Sequence, residues 1–84
     1  MKQVHTLKLN PKYWCALAIR LKTFEIRLND RDFQVNDVLI LTPIGLEHLP
    51  ASRLTFRITY ISKFQGGLKP GYVVLGIKTI KDTK

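Results

Sequence analysis

A lysine, a glutamate and an arginine stand at a spacing that can do chemistry in "KTFEIR", Lys22 to Arg27. Period-two alternation puts Thr23, Glu25 and Arg27 on one face of a strand, with neighbours on that face about 6.6 Å apart at the Cα level. Lys22 arrives from the preceding element, so one carboxylate can be flanked by two cations. Such a cluster suits gripping a phosphate, a carboxylate or the edge of a base. Arg27 offers a planar fork of donors, Lys22 a mobile point charge, and Glu25 can accept from an amino group or orient either cation. The same residues also suit a solvated strand face, whose exposed ion pair contributes about 0–1 kcal/mol. In the "NDRD" that follows, Asn29, Asp30 and Asp32 read as turn residues with Arg31 as their counter-charge. Two loosely spaced aspartates without a nearby histidine make a weak metal site, and no metal or cofactor is expected.

The elements that must position these residues are legible from periodicity. In "VHTLKL", residues 4 to 9, Leu7 and Leu9 alternate with Thr6 and Lys8, a strand with one buried face. Asn10 before Pro11 supplies a capping side chain and a ring with the right fixed φ for a helix start. Trp14, Leu17, Ala18 and Leu21 then form one apolar stripe, which predicts a helix ending near Leu21. Cys15, the single cysteine, falls inside it and reads as a small buried hydrophobe; no intrachain disulfide is possible. "TFEIRL" switches to period two, with Phe24, Ile26 and Leu28 on one side. "VND" at 35–37 is a turn before the apolar run Val38 to Leu41, and Pro43 to Ser52 reads as a loop.

"RLTFRITYI" is the clearest strand, with Leu54, Phe56, Ile58 and Tyr60 inward and Arg53, Thr55, Arg57 and Thr59 outward. In "YVVLGIKTI" Val73, Leu75 and Ile77 point inward, and Gly76 marks a bulge or a close backbone approach. Five strands with one helix after the first make a small α+β domain over residues 1–84, curled into a partly closed barrel that limits open edges.

The chain carries 14 Lys and Arg against 6 Asp and Glu, a net charge of +8, which favours nucleic acid or an anionic surface as partner. Arg53 and Arg57, with Lys63 and Lys69 in the following loop, can extend a positive track for a nucleic-acid backbone. Tyr60, Phe64 and Tyr72 are available for stacking, although parity places Tyr60 in the core and Phe64 suits the barrel end. Gly66 and Gly67 lack the longer pattern of a phosphate loop and read as a turn. His5 and His48 are too differently placed to share a metal; His5 reads as structural or solvent-exposed. No apolar run approaches the ~18 residues of a membrane span, so a cytoplasmic monomer is the default expectation.

"RLKTFEIR", Arg20 to Arg27, resembles the signature of ASCH domains in the PUA-like superfamily: a glycine, a lysine two residues on, a glutamate three later and an arginine two after that. "LNDRDFQVNDVLIL" and "FQGGLKPGYVVLGI" extend the likeness to a small ASCH-related group of bacterial and phage domains associated with RNA binding. The resemblance implies a PUA-like barrel that binds RNA or a modified nucleotide in a cleft beside the helix. Lys22, Glu25 and Arg27 would line that cleft, supported by Thr23, Asn29 and Arg31. The signature glycine is Arg20 here, so the usual glycine helix stop is absent. Asn36 replaces the glycine of a frequent "VGD", as an asparagine that tolerates a left-handed turn can. Another branch of the superfamily hydrolyses acetylcytidine with a lysine, a threonine three residues later and a distant glutamate. Lys22 matches that lysine, but Glu25 stands at the threonine position and Thr23 is its nearest hydroxyl. Lys22, Thr23 and Glu25 are therefore the catalytic set of the alternative, a small amidohydrolase.

Overall fold

The computed structural model describes residues 2–63 and 66–80. Five strands and one α-helix follow the expected order: β1 (Val4–Leu9), α1 (Pro11–Ala18), β2 (Phe24–Leu28), β3 (Val38–Pro43), β4 (Leu54–Ser62) and β5 (Tyr72–Thr79), with a 3₁₀ turn at Pro50–Ser52. The strands form one sheet in the order β1-β3-β4-β5-β2. β1 runs parallel to β3, and the other three pairings are antiparallel. The sheet curls into a half-barrel, and its concave side holds Leu7, Leu39, Leu41, Ile58, Val73 and Leu75.

Helix α1 begins as its sequence dictates. The Asn10 side chain accepts from the Lys12 amide at 2.8 Å, and Pro11 occupies the first helical position. It ends earlier than the apolar stripe suggests. Arg20 turns left-handed, at φ 62°; its amide donates to Leu17 O, and that of Leu21 donates to Ala16 O. This is the paired-bond helix stop that glycine usually supplies, here made by an arginine. The helix is thus two turns long, and only its Trp14 and Leu17 side meets the sheet. Trp14 Nε1 donates to Ser52 O at 2.9 Å and Leu17 enters the core. Ala18 and Leu21 are exposed, as is Cys15, which the short helix leaves on its solvent face instead of burying.

A second correction falls on β4. Its register against β5 shifts between Ile58 and Tyr60, a bulge that reverses the parity of the strand's last turns. Ile61 packs against the core in place of Tyr60, which is 67% exposed. Gly76 is the partner of that bulge. A Cβ there would meet Tyr60 Cβ at 3.3 Å, and Thr59 Oγ1 donates to Gly76 O, so the close backbone approach expected of this glycine is present. Phe64 lies outside the described residues.

The half-barrel has two edge strands, β1 and β2, and arginines bridge the seam between them. Arg27 Nη2 donates to Lys8 O at 2.8 Å and Arg31 Nη1 to Thr6 O at 3.3 Å. Carbonyls that a sixth strand would pair are met by side chains instead.

Candidate functional site

The two faces of β2 alternate as expected, and the apolar one is turned to solvent. Phe24, Ile26 and Leu28 are exposed, while Glu25 is turned into the barrel, with 4% of its surface exposed. A lone carboxylate in that position would cost several kcal/mol, and it persists only because it is fully paired. Lys22 Nζ donates to Glu25 Oε1 at 2.9 Å, and Arg27 Nε to Oε2 at 3.0 Å. One carboxylate flanked by two cations is the arrangement its spacing suggested, but it is a buried cluster and not a solvated face. Lys22 Nζ also stands over the rings of Tyr13 and Phe24, 4.8 and 5.3 Å from their centroids, a contact that period-two reading does not reveal.

Beside this cluster, at the barrel mouth where α1 ends, two adjoining cavities of about 240 and 430 Å³ open between the helix stop and the ends of β4 and β5. They share Leu17, Phe56, Arg20 and Thr79. Lys22, Thr23 and Lys78 line the smaller, and Arg53 and Thr55 the larger. The floor is core side chains, the walls carry four cations and three threonines, and no described lining residue is acidic. Arg20, Arg53 and Lys78 have no ion-pair partner among the described residues.

The other expected site residues are dispersed. Asn29 Oδ1 accepts from the Phe33 amide, which makes it a turn residue, and Arg31 closes the seam. Of the anticipated backbone track, only Arg53 reaches the mouth. Arg57 Nη1 donates to Asn36 O, while Lys63 and Lys69 flank the opposite ends of β4 and β5. Lys69 opens a turn closed by the Tyr72 amide on Lys69 O, with Gly71 at φ 85°. Tyr72 and Lys69 line a separate shallow cavity with Ile26, Gly67 and Leu68. Sequence reasoning singled out neither Lys78 nor Thr79 as a site residue, and met Arg20 only as a missing glycine.

A second buried carboxylate lies away from the mouth. Asp37, fully buried, accepts from the amides of Gln3 and Gln34 and from His5 Nε2 at 2.8 Å; His5 also packs edge-on against Phe33 at 4.8 Å. Because an ionised carboxylate only accepts, Nε2 carries the proton of that bond. Burial pushes the Asp37 pKa upward, but the three hydrogen bonds and the nearby imidazole outweigh it and hold the carboxyl below its ordinary value. Asn36, just before it, sits at φ 82°, the left-handed turn for which asparagine was a fitting replacement of glycine. His5 is therefore structural.

Among the described residues no group of three or more His, Cys, Asp or Glu is placed to hold a metal ion, and no helix is long and apolar enough to cross a membrane. Fold and mouth together define a small α+β half-barrel with a cationic cavity at the end its helix covers. The chain belongs to the family described as Domain of unknown function (DUF3850), whose profile matches residues 4–77. No curated protein matches it.

Proposed function

We propose that this domain binds RNA or a nucleotide at the mouth beside α1. The observation that carries the reading is the chemistry of the two cavities: Arg20, Lys22, Arg53 and Lys78 over an apolar floor, with no acidic residue among the described lining. Cations supply the attraction to phosphate, and the Leu17 and Phe56 floor offers a base or sugar an apolar surface. The resemblance of Lys22, Glu25 and Arg27 to the ASCH signature supports the same reading, with the half-barrel as a PUA-like fold. Glu25 acts in it by fixing Lys22 and Arg27 in place.

The test is an NMR titration with short single-stranded RNA over a salt series. Binding is expected to weaken steeply with salt, and Arg53→Ala should lower both the affinity and the salt slope, the latter by about 1. Arg53 suits this better than Arg27, whose loss also opens the seam. No chemical-shift change at low salt would overturn the reading. The amidohydrolase alternative draws on one feature, the presence of Lys22 and Thr23 together in the smaller cavity with Glu25 on the lysine. Release of cytidine from acetylcytidine, abolished by Lys22→Ala, would favour it over simple binding.

A further inference from the structure

We infer that the mouth is built for a phosphomonoester on a nucleoside, held by Arg20 with Arg53 and Lys78; this rests on the nucleotide-binding reading above. Three features lead there. The first is charge balance. Lys22 is already committed to Glu25, which leaves Arg20, Arg53 and Lys78 without an ion-pair partner among the described residues. A terminal phosphate carries a charge between −1.5 and −2 near neutral pH, whereas each internal diester carries only −1, so the monoester meets three cations better.

The second is shape. The cations line two adjoining concavities that meet at Arg20 over a core-lined floor, Lys78 in the smaller and Arg53 in the larger; Arg57, across from Lys78 in the β4–β5 pairing, lines neither and is bonded to Asn36 O, and Lys69 lines a separate cavity. A pocket of this form takes one terminal or free nucleotide. The third is Arg20 itself. It lines both cavities and sits at φ 62°, where an L side chain is strained and glycine is not. An arginine at a glycine-favouring helix stop gives up stability, and its guanidinium is the one feature there that a phosphate would use, through two parallel N–H bonds.

The experiment compares four ligands by calorimetry at low salt: inorganic phosphate, nucleoside 5′-monophosphates, and one single-stranded decamer with and without a terminal phosphate at either end. The phosphorylated strand or the monophosphates should bind at least tenfold more tightly than the unphosphorylated strand. Arg20→Ala and Arg53→Ala should each remove that difference, while Arg57→Ala keeps it. Arg20→Gly should raise the melting temperature by roughly 4–8 °C while losing the phosphate preference, a pairing that a purely structural role for Arg20 would not produce. A strand that binds more tightly than the monophosphates identifies a strand end as the source, and the reverse identifies a free nucleotide. Equal binding of the strand with and without its phosphate, with monophosphates no tighter than either, overturns the inference and leaves the RNA reading standing. Binding of monophosphates but of no strand upholds the inference and removes RNA as the partner. Silence from all four ligands overturns both.

Discussion

Two carboxylates among the described residues are buried in this small barrel, and they are held in opposite ways. Asp37 takes two backbone amides and an imidazole, all fixed by the chain around it, and is wholly enclosed. Glu25 takes two long cationic side chains that are themselves partly exposed and border the mouth. Donors from the backbone cannot leave without unfolding a turn; donors on flexible stems can swing to another acceptor. Asp37 is thus a staple that joins β1 to the turn before β3, whereas Glu25 is a counter-ion that parks Lys22 and Arg27 beside a cavity.

The largest effect should come from Asp37→Asn, which leaves the His5 bond and two amides facing a neutral amide. About 3–5 kcal/mol of stability should be lost in urea unfolding, with no change in ligand preference beyond that loss. Glu25→Gln should cost less, about 1.5–3 kcal/mol, and should strengthen anion binding at low salt because Lys22 and Arg27 lose their counter-ion. If the two variants cost the same and neither alters binding, the distinction between staple and counter-ion fails. Next in size is the dependence on acid. With its pKa lowered in the folded state, Asp37 adds stability that is fully present above its ordinary value of 3.8 and is lost as pH falls through the lower folded value. There the unfolded chain binds more protons, so unfolding free energy should decline below about pH 4 in the native protein and less steeply in Asp37→Asn, as read from urea midpoints at stepped pH. The smallest effect should be that of Arg27→Lys, which keeps the charge on Glu25 but gives up the fork that also reaches Lys8 O. About 1 kcal/mol is expected by thermal denaturation.

Much of the fold was legible because alternation is local. The order of strands and helix, the inward residues of β1 and β5, and the left-handed Asn36 all follow from neighbours in the chain. The sense of β2 does not. Its Phe24, Ile26 and Leu28 advertise an inward face, but β2 pairs only with β5 at the edge of the sheet, and the partners that let Glu25 turn inward are set by that placement. Tyr60 faces solvent for a related reason: the bulge depends on register with β5, which the alternation of β4 does not display. Asp37 has the look of a turn residue, and only the parallel pairing of β1 with β3 brings His5 to it, 32 residues away. At the site, Lys22, Thr23 and Arg53 were found by type and spacing. Arg20 was noticed only as an absent glycine, and Lys78 and Thr79 reach the mouth through β5 pairing with β4.

The arginine-bridged seam bears on how the chain behaves when crowded. A half-barrel with two unpaired edges is a template onto which a strand from another copy can add, the first step toward aggregation. Here Arg27 and Arg31 occupy carbonyls of β1 that an incoming strand would need, and they surround them with positive charge that repels a second copy of a chain carrying +8. The seam thus guards the open side of the half-barrel against strand addition from a second copy.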